Sequence, residues 1–203
     1  MADLFDSAPA AGEPARNATR PLADRIRPAR LSDVVGQDKL LGPDGPLGAM
    51  LGAGSLSSLI LWGPPGVGKT TIARLLALET DLAFVQISAI FSGVPELRKV
   101  FDAARLRRSQ SRGTLLFVDE IHRFNKAQQD SFLPHMEDGT ITLVGATTEN
   151  PSFELNAALL SRAQVIVLER LSLADLELLA QRAEAEAGRA LPLTGEARER
   201  LLD

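Results

Sequence analysis

The chain predicts a three-layer α/β fold around a parallel sheet, and three observations carry that prediction. Short, wholly apolar runs, Leu59-Ile60-Leu61-Trp62 and Leu115-Leu116-Phe117-Val118, read as strands buried on both faces. A segment between them is apolar at 97, 100, 101 and 104, which is helical spacing. The strands run into glycine, acid or hydroxyl residues, the pattern of parallel strands whose carboxyl ends open into a ligand crevice.

Composition bounds what such a fold can do. With 203 residues, the chain suits one domain, or one domain and the beginning of a second. Hydrophobic residues at 45% and charged residues at 24% are an ordinary globular mixture that can bury a core. The absence of cysteine removes disulfides and thiolate metal sites and is compatible with a reducing cytoplasm. With only His122 and His135, a histidine-rich metal site is not expected. A net charge of −4 argues against a uniformly basic surface, so any nucleic-acid contact needs a local patch. No apolar run approaches the ~20 residues that span a bilayer, and residues 1–20 lack the apolar centre of a secretory signal.

Residues 1–20, rich in Ala and Pro, read as a disordered tail. Within it Asp3-Leu4-Phe5 resembles the second half of the short pentapeptides by which bacterial proteins bind the replication sliding clamp; two stray apolar residues are the other reading. From Pro21 to Gln37 the residues alone describe an irregular surface segment. Between 42 and 55, glycines and prolines surround Leu47, Met50 and Leu51, which share one helical face, so a short helix between loops is expected.

The chemistry begins at Gly63-Pro64-Pro65-Gly66-Val67-Gly68-Lys69-Thr70, a complete match to G-x-x-x-x-G-K-[ST]. Its context is the required one, a buried strand before and a helix from Thr71 to Leu78 after. Glycines let successive backbone N–H groups face phosphate oxygens, and the helix N-terminus adds partial positive charge. Lys69 then reaches the outer phosphates of ATP, and Thr70 holds magnesium.

A second strand, Ala83 to Ile87, precedes the helix at Glu96 to Leu106. Arg98, Lys99, Arg105, Arg107, Arg108 and Arg112 read as a solvated helix face or as local contacts to a nucleic-acid backbone. The third strand ends in Asp119-Glu120. Asp119 is placed to anchor the magnesium shell and Glu120 to polarise the attacking water, against the alternative that one acid caps the next helix. A helix through Gln128, Gln129, Phe132, Leu133 and Met136 is expected to break near Pro134. The strand Ile141 to Thr148 ends in hydroxyls, of which Thr148 is the candidate sensor of the γ-phosphate; a plain strand-ending threonine is the alternative. A short helix through Leu155, Ala158 and Leu159 delivers Ser161-Arg162 before a fifth strand, Gln164 to Leu168. Arg162 is too far from Lys69 to serve its own nucleotide, which leaves an arginine finger for a neighbour's site or a surface salt bridge. Another helix runs from Leu171 to Ala187, and one more opens at Thr194.

The segment Arg27-Pro28 through Val34-Val35-Gly36-Gln37 resembles the arm of many AAA+ ATPases. Together with GPPGVGKT, LLFVDEIHRFNKAQQDSFLPHMEDGT and LVGATTENPSFELNAALLSRA, it is similar to the replication-associated recombination protein A family. That family comprises relatives of the Werner-helicase-interacting protein in the clamp-loader branch of AAA+ ATPases. The resemblance covers residues 20–203. It implies a P-loop AAA+ domain at 21–170 with a five-stranded parallel sheet in the order 5-1-4-3-2, then the start of a helical lid at 171–203. It also implies that Arg27, Pro28, Val34, Val35, Gly36 and Gln37 line the base end of the nucleotide site, which continues through Gly63 to Thr70 and Thr71. Lys69, Asp119, Glu120, the sensor Thr148 and the finger Arg162 complete the implied machinery.

Function follows as an expectation: a DNA-dependent ATPase at stalled or gapped replication forks, cytoplasmic and nucleoid-associated, using ATP and Mg2+. Single-strand-binding protein and a tetrameric assembly are the implied partners. Family members continue into a second arginine sensor and a tetramerising C-terminal region that this sequence does not contain, so it is expected to be a fragment or a truncated product. Two alternatives stand beside this: a Holliday-junction branch-migration motor, and a nucleotide-gated interaction module without appreciable hydrolysis.

Overall fold

The apolar runs assemble into one sheet because no other arrangement hides both faces of each strand. In the computed structural model, which describes residues 20–190, the chain divides into two compact units. One is Pro28–Leu176; the described part of the other is 20–27 with 177–190.

The smaller unit holds α1 (Leu22–Arg25). There Arg25 donates through Nε to Glu186 Oε1 at 3.0 Å, and Arg27 pairs with Asp24 at 2.9 Å.

The larger unit opens with a 3-10 turn (Leu31–Asp33), α2 (Asp38–Leu41) and α3 (Pro46–Gly52). Strands and helices then alternate: β1 (Leu59–Trp62), α4 (Lys69–Glu79), β2 (Ala83–Ser88), α5 (Val94–Ser109) and β3 (Thr114–Asp119). After a 3-10 turn (Ile121–Arg123) come α6 (Lys126–Asp130), α7 (Leu133–Glu137) and β4 (Thr142–Thr147). Two single-turn helices, α8 (Pro151–Glu154) and α9 (Ala157–Leu160), lead to β5 (Gln164–Val167), and α10 (Leu173–Ala187) carries the chain out of this unit.

All four strand pairings are parallel, in the order β2-β3-β4-β1-β5. Read from the other edge this is the expected 5-1-4-3-2. Alternate residues of one strand serve opposite faces: Leu115 and Phe117 join the core formed with Ile72 and Leu76, whereas Leu116 and Val118 join Leu97, Phe101 and Phe132. That double burial is why β3 reads as a run and not as an alternation.

Two helix boundaries differ from the sequence expectation. The break between α6 and α7 falls at Ser131-Phe132, and Pro134 sits in the first turn of α7, where a missing N–H has no helical partner to lose. The expected single helix near Leu159 is two turns, because the Asn156 carboxamide accepts from Leu159 N at 2.7 Å and starts α9 afresh.

Candidate active site

Where β1 ends, backbone alone decides the next turns. Gly63 lies so close to β5 that an added Cβ would stand 2.6 Å from the Leu168 carbonyl oxygen. Gly66 and Gly68 take φ of +81° and +94°, a region costly to residues with a Cβ. Open space surrounds both positions. Gly68 caps α4, so the amides of the first turn, Lys69, Thr70 and Thr71, have no earlier helical carbonyl to bond. A tight turn, open surroundings and a helix N-terminus make a cradle suited to phosphate oxygens.

The Lys69 side chain folds over this turn. Its Nζ donates to the Gly63 and Pro64 carbonyls at 2.7 and 2.8 Å. Burial lowers its pKa from the ordinary lysine value, and the charges of Glu120 and Asp119 oppose that shift. The lysine therefore lies within the field of both acids, which joins the ends of β1 and β3 into one electrostatic centre.

Asp119 ends β3 in register with Ser88, and Ala89 N donates to its carbonyl at 2.9 Å. The next residue breaks the strand: Glu120 adopts φ 52° and ψ 46°. A non-glycine residue held there costs on the order of 1–3 kcal/mol, and such strain clusters at working sites. Thr148, just past β4, donates through Oγ1 to Glu120 Oε2 at 3.4 Å. The structure thus brings Glu120 and Thr148 together across the tips of neighbouring strands. His122, which the sequence did not single out for this site, also reaches Glu120: its Nδ1 is 3.3 Å from Oε2 and 2.9 Å from Thr147 Oγ1. The Asp-Glu-Ile-His spacing was the available signal, but only a fold that sets β3 beside β4 gives it meaning.

The arm residues divide between the units. Pro28, Val34, Val35, Gly36 and Gln37 lie in the larger one and Arg27 in the smaller. Gln37 is buried and donates through Nε2 to the Glu169 carbonyl at 2.9 Å, and Gly36, at φ +77°, lies against Leu171 and Asp175. A cleft of about 320 Å³ opens here, lined by Gly36, Gln37, Val167, Glu169 and Asp175. The arm is therefore pinned to the chain that leaves β5, a few residues from the contact of Gly63 with Leu168.

Arg162 is at the opposite end of the sheet. It precedes β5, whose first residue pairs with Leu59 at the start of β1, whereas the glycine-rich turn follows the end of β1. Its Nε and Nη2 both lie 2.6 Å from Glu137 Oε1, on the rim of a cleft of about 400 Å³ that also includes Ser58 and Thr142. The salt-bridge reading of Arg162 is thus realised within this chain. Among the basic residues of α5, Arg105 pairs with Asp102 and Arg108 with Asp138. The Asp3-Leu4-Phe5 motif and the helix expected at Thr194 lie outside the described residues.

Magnesium fits the donor set here. The hydroxyl of Thr70 and the carboxylate of Asp119 are hard oxygen ligands, and a cation held largely by phosphates and water needs no all-protein cage. Among the described residues no cluster of three or more His, Cys, Asp or Glu side chains is placed to hold a metal.

A glycine-rich turn, an acidic strand tip and a hydroxyl strand tip on a parallel sheet in this order define a P-loop ATPase domain. Residues 59–171 match the family described as "ATPase family associated with various cellular activities (AAA)", and the chain belongs to that family. It is 56% identical to the Escherichia coli replication-associated recombination protein A over 161 residues, covering 79% of this chain and 36% of that protein. It is 48% identical to the Dictyostelium discoideum ATPase WRNIP1 over 162 residues, covering 80% of this chain and 18% of that protein. The Thermotoga maritima RuvB Holliday junction branch migration motor is similar in structure, with a TM-score of 0.69 at 31% identity over 87% of this chain and 59% of that one. The chain spans well under half the length of the curated relatives it matches.

Proposed function

We propose that this chain is the nucleotide-binding part of a DNA-dependent ATPase that acts at stalled or gapped replication forks in recombination and repair. One observation carries the hydrolytic reading: Lys69, Asp119, Glu120 and Thr148 meet at the carboxyl ends of adjacent parallel strands. The place of action rests on the similarity to replication-associated recombination protein A and to WRNIP1.

In the proposed mechanism, Lys69 exchanges its carbonyl partners for the outer phosphates of ATP, whose negative charge opposes the lowering of its pKa by burial. The amides from Gly66 to Thr71 hold the remaining phosphate oxygens. Thr70 and Asp119 would hold magnesium, Asp119 by anchoring its shell, and the cation would supply charge neutralisation on those phosphates. Glu120 takes a proton from the attacking water, and Thr148 orients both that water and the γ-phosphate. Arg162 acts on the nucleotide of a neighbouring copy, because its place at the far end of the sheet keeps it from its own. Pro28, Val34, Val35, Gly36 and Gln37 form the base end of the site.

Residues 21–170 are then the ATPase core and 171–203 the start of a lid, preceded by a tail at 1–20. The whole protein would be a cytoplasmic, nucleoid-associated tetramer that meets single-strand-binding protein, and Asp3-Leu4-Phe5 would meet the sliding clamp. The RuvB similarity favours a second reading, a branch-migration motor, which predicts directional strand unwinding.

The test is steady-state ATP hydrolysis with and without forked DNA carrying a single-stranded gap, over a range of protein concentrations. Turnover that rises with both DNA and protein supports a DNA-coupled, shared site. Nucleotide binding with no turnover under any condition means instead that this chain is only the nucleotide-binding portion and that hydrolysis needs further regions of the whole protein. Glu120→Gln is expected to retain ATP binding and to lower turnover by roughly 100-fold or more.

A further inference from the structure

His122 is a buried titratable group with no place in the mechanism above. Its side chain is 5% exposed, and Nε2 is buried with no hydrogen-bond partner. The other nitrogen, Nδ1, has two oxygens in reach, Thr147 Oγ1 at 2.9 Å and Glu120 Oε2 at 3.3 Å. We propose that His122 is a positioning residue for Glu120, held as the Nδ1–H tautomer with its one proton shared between the Glu120 carboxylate and the Thr147 hydroxyl. The proposal rests on the reading of Glu120 as the water-activating residue.

Three observations select that tautomer. A proton on Nε2 would leave a buried donor unpaired, which costs more than leaving an imidazole lone pair unpaired. A lone pair on Nδ1 would face the Glu120 carboxylate oxygen at 3.3 Å, two acceptors with nothing between them. Thr147 then completes the count. Its hydroxyl donates to the Glu149 carbonyl at 3.2 Å and accepts from Glu149 N at 3.0 Å, leaving one lone pair for His122 Nδ1–H. Reversing the Thr147–His122 bond would take the hydroxyl proton away from Glu149 and place the imidazole proton on the partnerless nitrogen.

The consequence is directional. His122 and Thr148 both donate to Oε2, so that oxygen is pinned and Oε1 is presented to the water. Glu120 needs such support because its backbone is in the left-handed region, out of line with the strand that ends at Asp119. Thr147 and Thr148 are consecutive, so a shift at the tip of β4 moves together the hydroxyl that holds His122 and the hydroxyl that donates to Glu120.

The test begins with side-chain 15N spectra of histidine-labelled protein, at a pH above the ordinary histidine pKa of about 6.5. The chain has two histidines, His122 and His135, so His135→Gln assigns the signals. The expected result is a protonated Nδ1 and unprotonated Nε2 at His122, with the Nδ1 signal displaced in Glu120→Ala because one of its two acceptors is gone. Protonation on Nε2, or a pattern indifferent to Glu120→Ala, overturns the proposal, whether or not the chain turns over ATP. The second arm is kinetic: His122→Leu is expected to lower kcat roughly 10- to 100-fold with nucleotide affinity unchanged. His122→Asn, whose amide nitrogen can stand where Nδ1 stands, recovers much of that loss. Equal turnover of His122→Leu and the parent protein sinks the positioning role if Glu120→Gln is inactive. If Glu120→Gln also retains turnover, the assignment of Glu120 itself has failed.

Discussion

Lys69 shows what a single side chain contributes when its surroundings oppose its charge. Burial lowers its pKa while Glu120 and Asp119 raise it, so the amine is costly to hold until an anion compensates. Lys69→Ala is therefore expected to fold and to lose nucleotide affinity, by at least an order of magnitude in a fluorescent-nucleotide titration. His135 is the second residue in such a position. Burial is the main cause of its lowered pKa, Arg105 adds to it, and Asp138 and Asp102 oppose it; the ring lies 4.1 Å from that of Phe101. The folded state takes up the imidazole proton at a lower pH than the unfolded chain, which does so near pH 6.5. This contribution to stability is thus complete above that pH and declines as pH falls below it. Urea midpoints at pH 7.5 and 5.5 should differ in the parent protein and less so in His135→Phe.

Elements are joined by polar residues as well as by the core. Gln129 in α6 is buried, donates to the carbonyls of Phe124 and Glu154 at 2.9 and 3.2 Å, and accepts from Asn156 N at 2.8 Å. One side chain therefore ties the turn after β3 to the α8–α9 segment that carries Arg162. Gln129→Leu leaves these groups unpaired and should cost about 1–3 kcal/mol, read from denaturant unfolding. Gly145 in β4 makes a different kind of joint. An added Cβ would meet Ile121 Cδ1 at 2.8 Å and Ile60 Cδ1 at 2.9 Å, so Gly145→Ala should destabilise by about 1–3 kcal/mol through overpacking. Because Ile121 follows Glu120 directly, that variant is also expected to disturb turnover more than its loss of stability explains.

For the molecule as a whole, the decisive separation is between the two ends of the sheet. Lys69, Glu120 and Thr148 gather at one end, and Arg162 stands at the other, paired with Glu137. Under the shared-site proposal, Arg162→Ala should bind ATP normally and turn it over slowly. Mixing it with Lys69→Ala should recover part of the activity, since a Lys69→Ala copy still offers an arginine to an Arg162→Ala copy. Failure to recover, with both variants folded and assembled, argues that Arg162 serves only its bridge to Glu137.

What could be read from the residues was whatever is encoded locally. The strand–turn–helix at Gly63 to Thr70, the apolar run ending in Asp119-Glu120 and the hydroxyl tip at Thr148 depend on neighbours in sequence, and they placed much of the candidate site. The resemblance supplied the strand order, since nothing local says that β4 lies between β1 and β3. Glu120 was legible as an acid at a strand tip, but its left-handed backbone was not, because that conformation is imposed by what packs around it. His122 beside Thr147, Gln129 beneath Asn156 and Arg162 on Glu137 lie 25, 27 and 25 residues from those partners. Short-range periodicity and motif spacing determined the fold class and the phosphate cradle. Only the tertiary structure decided which polar groups are buried together, because hydrogen-bond satisfaction is a property of three-dimensional neighbours and not of chain order.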